Sequence, residues 1–291
     1  MRAFKFLLSL LALFALIAAA PKKDWKDVEA ALGRAGAVQP DGAYKVSFPR
    51  GDLSVTADGV AIKPALALGS WAAFKDSGAH AMAMGDLVLI ESEVNPVITE
   101  LQKGGIEATA IHNHLSGESP RVMYVHFNGH GDATAIAGTL HSALAMTKTP
   151  MGPPAAPAAA QLDLPTADLD RIIGHAGKAN GGVYQFGIPR AEKITEHGMT
   201  ITASMGLATA INFQPTGNGR AAIAGDFVMI ASEVNPVIRA LQAGGIAVTA
   251  LHSHMLEEQP RLFFMHFWAN DDANKLATAL RFALDRMHVK K

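Results

Sequence analysis

The sequence predicts an α+β protein made of two tandem copies of one module, each a mostly antiparallel sheet with helices on one face. Shifting the chain by 140 residues superimposes residues 86–144 on residues 226–284 without a gap, and 30 of the 59 positions are identical. Within a copy, short runs of β-forming residues precede the main helical patterns, an order typical of α+β folds. A repeat of this length is domain-sized, so the two copies are expected to pack about a pseudo-twofold axis.

Composition divides the chain into four parts. Residues 1–20 have the basic start, apolar run and small-residue end of a secretory signal peptide. The first module is expected to cover residues 24–148 and the second residues 164–291. Between them, residues 149–163 are rich in proline and alanine, which favours an extended linker.

The elements of the first module follow from its local patterns. A short amphipathic helix is expected over residues 24–35, followed by strands over 44–48, 53–57, 65–74 and 87–93. Asn95-Pro96 predicts a helix start and Gly104-Gly105 a helix end, which places a helix over residues 97–103. Residues 106–115 and 121–127 are read as a pair of adjacent strands. A helix over 132–146 closes the module, with an apolar stripe on one side.

Charge and cysteine content exclude several classes of function. The formal net charge is -1, from 25 basic and 26 acidic residues mixed along the chain, which gives no footprint for nucleic acid. No segment after the signal is apolar enough to span a membrane. Because there are no cysteines, neither disulfides nor thiolate metal sites can form, and a metal would need histidine and carboxylate ligands.

The duplication selects among the twelve histidines. Six have no histidine at the equivalent position of the other copy, whereas three in each copy are matched, and one glutamate accompanies them in an identical stretch. The matched residues are Glu93, His112, His114 and His126 in the first copy, and Glu233, His252, His254 and His266 in the second.

Strand geometry gives these residues a common face. Residues two apart on a strand project to the same side, so His112 and His114 lie side by side. His126 shares that side if its strand pairs with theirs, which depends on a register that the sequence does not fix. Glu93 is expected at the end of the preceding strand, from which it could turn inward.

Three imidazoles and one carboxylate suit a divalent metal ion, with Zn²⁺ favoured and Mn²⁺, Fe²⁺ and Cu²⁺ as further candidates. If three of the four residues bind the ion, Glu93 or Glu233 could act as general base in a metal-dependent hydrolase or lyase. A structural role for the same histidines, as hydrogen-bonded core residues, stays open at this point.

Five motifs carry a resemblance to a known family. At Ser-Glu-Val-Asn-Pro-Val-Ile, Gly-Gly-Ile, His-x-His, Glu-x-Pro-Arg and His-Phe, the chain resembles the LppY/LpqO family of exported bacterial proteins. The resemblance covers nearly all of the chain after residue 20 and implies export and a shared fold, but no reaction. Mycobacterial members are lipoproteins, a property that this cysteine-free chain cannot share.

These observations predict a periplasmic or secreted protein with one metal site per module and an unidentified small molecule or cell-envelope component as its partner. The alternative is a metal-free module that binds cell-envelope polymer or peptide, in which the histidines donate hydrogen bonds. Duplication would suit bivalent attachment to such a polymer.

Overall fold

The structure is a computed structural model and describes residues 24–78, 80–153 and 162–290. The predicted signal peptide and residues 154–161 of the predicted linker lie outside the described residues, so both remain predictions. Within the described ranges, no helix has the length and hydropathy needed to cross a membrane.

Each module forms one six-stranded sheet flanked by helices. The first module contains, in chain order, α1 (Lys26–Leu32), β1 (Ala37–Val38), β2 (Tyr44–Pro49), β3 (Thr56–Ala57), β4 (Val60–Ala61), α2 (Pro64–Ala67), β5 (Gly69–Asp76), β6 (Ala81–Ile90), α3 (Glu91–Lys103), β7 (Glu107–His112), β8 (Val122–Gly131) and α4 (Ala133–Leu144). Its sheet has the order β1-β2-β5-β6-β8-β7, and β3 and β4 form a separate hairpin.

The second module repeats this arrangement. It contains α5 (Thr166–Ile173), β9 (Lys178–Asn180), β10 (Val183–Pro189), β11 (Ile194–Glu196), β12 (Met199–Ile201), a 3₁₀ turn (Ala203–Met205), β13 (Ala208–Gly217), β14 (Arg220–Met229), α6 (Ala231–Ala243), β15 (Ala247–His252), β16 (Phe263–Asp272) and α7 (Ala273–Leu284). The sheet order is β9-β10-β13-β14-β16-β15, and β11 pairs with β12. All neighbouring strands in both sheets are antiparallel, as expected for this fold class.

The central strands are buried on both faces. In β6, Leu87 and Leu89 pack with the helices of their own module, whereas Val88 belongs to a cluster formed by residues of both modules. Strands covered on both sides read as continuous apolar runs, which explains the sequence of β6. The layers are therefore helix, sheet, sheet, helix, with the two sheets in contact at the centre.

Reciprocal hydrogen bonds join the modules where β7 and β15 approach each other. Thr109 Oγ1 donates to the carbonyl of His254 at 2.6 Å, and Thr249 Oγ1 donates to the carbonyl of His114 at 2.5 Å. Each bond is the counterpart of the other under the 140-residue shift, so the contact has pseudo-twofold symmetry.

Several local predictions about secondary structure were wrong. The strand expected over 87–93 is β6, which ends at Ile90, so Glu93 lies in a helix and not at the end of a strand. The helix expected from Asn95 begins at Glu91 instead, because β6 ends at Ile90 and Glu93 Oε2 accepts a hydrogen bond from the Ile90 amide at 3.0 Å. Pro96 lies inside this helix, where it removes one backbone hydrogen bond without ending the helix. The strand expected over 65–74 divides into the single turn α2 and the strand β5.

Candidate metal centre

Three histidines of the first module share the face of the sheet that points toward the second module. His126 on β8 pairs with Asp86 on β6 and with Ala110 on β7, and His112 lies diagonally across from it, opposite Tyr124. His114 follows two residues after His112, just past the end of β7. Alternation along the strands thus brings the three side chains together, as the sequence predicts.

The matching histidines of the second module meet them across the interface. The contacts form three stacked imidazole pairs, each with one ring from either module. The ring centroids are 3.5 Å apart for His112 and His252, 3.8 Å for His114 and His266, and 3.6 Å for His126 and His254. The two sets, expected as one site per module, therefore form a single cluster, which we call the six-histidine centre.

Backbone carbonyls determine the tautomers of several of these rings. Nδ1 of His266 lies 2.9 Å from the carbonyl oxygen of Gly225, and Nδ1 of His112 and of His252 contact the carbonyls of Asn113 and Ser253 at 3.2 and 3.3 Å. A carbonyl only accepts, so each Nδ1 carries the proton and each Nε2 presents a lone pair. This is the arrangement that prepares a histidine to bind a metal through Nε2.

All six Nε2 atoms are buried and have no hydrogen-bond partner among the described residues. Buried polar atoms are nearly always paired, so six unpaired nitrogens in one cluster require an explanation. Two groups have ligand atoms that all lie within 4.8 Å of one another and could hold a metal ion. One contains His112, His114 and His126, and the other contains His112, His252, His254 and His266.

Two aspartates that sequence reasoning missed lie beside the histidines of the centre. Asp86 Oδ2 lies 3.5 Å from His114 Nε2 and 3.8 Å from His126 Nε2, and Asp226 Oδ2 lies 3.3 Å from His254 Nε2. The other carboxylate oxygen of each aspartate has no hydrogen-bond partner. A signal was present: the pair is identical at the 140-residue shift, and each is the lone acidic residue of an apolar strand.

Burial controls the charge of the centre. It lowers the pKa of His112 to about 3 and that of His252 to about 4, and it holds the pKa values of the other four histidines well below the usual value. Burial also raises the pKa of Asp86 to about 8, and that of Asp226 is raised well above its ordinary value by burial and by the nearby Asp86. Near neutral pH the imidazoles and the Asp86 carboxyl are therefore uncharged in the metal-free centre, and a divalent cation would stabilise the ionised carboxylates.

Glu93 is not brought together with the histidines. Its carboxylate accepts from Nη1 and Nη2 of Arg50 at 2.8 and 3.2 Å, which turns it away from the imidazoles. Glu233 has the same role, with Nη1 and Nη2 of Arg190 at 2.6 and 3.2 Å. These residues survive in both copies because each pairs with a buried arginine and with the first turn of a helix, so we remove them from the ligand set.

The chain belongs to a family described as Domain of Unknown Function (DUF1259), which matches residues 26–146 and 167–286. The two matches correspond to the two modules and confirm the internal duplication. The description states no activity, so the resemblance to the LppY/LpqO family remains a prediction. No curated protein matches the chain.

Two solved structures align with most of this chain, but their folds superimpose only weakly. The trimeric bacterial microcompartment shell protein PduB is 12% identical with a TM-score of 0.22, over 87% of this chain and 90% of PduB. EtuB from Clostridium kluyveri is 7% identical with a TM-score of 0.20, over 86% and 88% of the two chains. At these TM-scores neither likeness carries a functional argument.

Proposed function

We propose that this is an exported protein that binds two divalent metal ions side by side in the six-histidine centre. The observation that carries the proposal is the convergence of six buried Nε2 atoms that have no hydrogen-bond partner among the described residues. Three of the rings have Nδ1 bound to a backbone carbonyl, which directs the lone pair of Nε2 toward the centre.

Each ion would be held by three histidines and one aspartate. Pseudo-twofold symmetry divides the centre into two equivalent ligand sets: His112, His114, His126 and Asp86, and His252, His254, His266 and Asp226. Sets of nitrogen and oxygen ligands suit Zn²⁺ first, and also Mn²⁺, Fe²⁺ and Cu²⁺. The aspartates would supply negative charge to offset that of the cations in a site with little access to water.

Binding is better supported than hydrolysis. Glu93 and Glu233, the expected general bases, are held by arginines at 2.8 and 2.6 Å. Two surface cavities of about 330 Å³ each are lined by residues outside the centre. A buried centre with a full set of ligands fits retention of an ion, and export would place that role in the periplasm or outside the cell.

The stoichiometry of bound metal tests the proposal directly. Protein lacking residues 1–20 would be stripped with chelator, dialysed against Zn²⁺, Mn²⁺ or Cu²⁺, and analysed for metal content. We expect about two ions per chain for at least one metal, because the proposed arrangement has two equivalent ligand sets. Asp86→Asn combined with His126→Gln should remove one of the two ions.

His80 offers a matched control, because it is exposed and its equivalent in the second copy is Arg220, not a histidine. His80→Gln should retain both ions. Uptake of no ion by the unaltered protein would refute the proposal, and chelator-resistant retention on purified cell wall would then favour the polymer-binding alternative. One ion per chain would refute the two-ion arrangement.

A further inference from the structure

The pseudo-symmetry of the two modules breaks at the ends of the six-histidine centre. Each end is covered by a hairpin of the opposite module: β3–β4 lies over β16, and β11–β12 lies over β8. The turn residues Asp58 and His197 are equivalent, with φ of 47° and 48°. The residues below the hairpins, Trp268 and Asn128, are related by the 140-residue shift.

An indole closes one end. Trp268 is 6% exposed and packs in an apolar cluster with residues of both modules, including Ala57. Its Nε1 donates to Asp58 Oδ2 at 2.6 Å. The end near Trp268 is therefore filled with a rigid aromatic ring whose single polar atom is already paired.

The other end is polar. Asn128 is the equivalent of Trp268 in the first module, and Glu196 is the equivalent of Ala57 in the second module. Asn128 Nδ2 donates to Glu196 Oε2 at 3.0 Å, and both residues are 2% exposed. Asn128 Oδ1 is buried and has no partner among the described residues. It lines a cavity of about 330 Å³ together with Gly105, Glu107, His130 and His197.

Polar groups connect this cavity to the centre. His126, Asn128 and His130 alternate on β8 and project from the same face. His126 is stacked on His254 at the inner end. At the exposed end, the ring centroids of His130 and His197 are 5.0 Å apart. Nitrogen and oxygen atoms therefore lie one after another between the exposed cavity and the buried histidines on this side.

The neighbouring strand adds flexible side chains on the same side. Met82 and Met84 lie opposite His130 and Asn128 on β6, whereas the equivalent residues opposite Asn270 and Trp268 are alanines. Both methionines are buried in a cluster with residues of both modules. A thioether chain has several rotatable bonds and yields more easily than an aromatic ring.

We infer that metal ions enter and leave the six-histidine centre from one end only, through the cavity lined by Asn128, His130 and His197, while Trp268 closes the equivalent end. The inference rests on the proposed metal binding. The exposed imidazoles and Glu107 attract the cation, and Asn128 Oδ1 replaces part of its water shell on the way inward.

Uptake kinetics test the inference. Metal-free protein lacking residues 1–20 would be mixed with Co²⁺, and uptake would be followed by the visible absorption of the bound ion. Asn128→Leu should slow uptake by about tenfold or more with the final amount of bound Co²⁺ unchanged. Adding Trp268→Asn to Asn128→Leu should restore fast uptake, because it opens the second end.

Two comparisons keep the outcome interpretable. Trp268→Phe, which keeps an aromatic ring in place, should take up Co²⁺ at the unaltered rate. If Asn128→Leu does not fold, as judged by circular dichroism, then His130→Gln with His197→Gln should slow uptake instead. Equal rates in the unaltered protein and the entrance variants would overturn the inference while leaving metal binding intact; absence of uptake in every variant would instead count against the proposed function.

Discussion

Replacing Glu93 with alanine should destabilise the protein without removing a metal ion. The carboxylate makes contacts of 2.8 and 3.2 Å with Arg50 and one of 3.0 Å with the Ile90 amide. Arg50 is fully buried and would keep only Asp52 as an acidic partner, at 2.9 Å. Breaking a buried ion pair from one side costs ~3–5 kcal/mol, because the remaining charge stays buried.

The expected loss is measurable by standard unfolding experiments. For a domain of this size, 1 kcal/mol lowers the melting temperature by roughly 2–4 °C, so Glu93→Ala should lower it by roughly 6–20 °C. Thermal and urea unfolding would be followed by circular dichroism, and bound metal would be measured on the same samples. The number of ions per chain should equal that of the unaltered protein.

Glu91→Ala provides the matched control. Glu91 lies in the same helical turn, is exposed, and is replaced by Ala231 in the second module. This variant should change stability by less than about 0.5 kcal/mol. If Glu93→Ala instead lost one ion per chain and kept its stability, Glu93 would be a ligand and the structural role assigned to it would be refuted.

Three further predictions follow from the centre and its interface. Metal should stabilise the folded state by ~2.7 kcal/mol per site at about a hundredfold excess over Kd, measured as a rise in melting temperature that chelator reverses. Metal-free protein should lose stability as pH falls below about 6.5, measured by urea titration, because burial lowers the pKa of His112 to about 3 and only the unfolded chain takes up the proton. Constant stability down to about pH 5 would contradict that linkage. Thr109→Val should cost about 1–3 kcal/mol in thermal unfolding, because the His254 carbonyl loses its donor, and Thr249→Val should have a matching effect; no loss in either variant would contradict that assignment.

The sequence by itself determined the duplication, the fold class and the matched histidines. These features depend on local order and on period: identical residues at a fixed shift, and side chains two apart on one face of a strand. For the same reason, the sequence groups His112, His114 and His126 on one face, provided that β7 and β8 pair, without any knowledge of the second module.

Only the tertiary structure decided what those histidines contact. Whether His126 meets His254 depends on how two sheets pack, and no local pattern encodes the distance between residues so far apart in the chain. The pairing of β6 with β8 set Asp86 opposite His126, whereas a buried Arg50 held Glu93 away from the imidazoles. The physical reason is that burial and pairing of charges are properties of the assembled core, not of the segment that carries them.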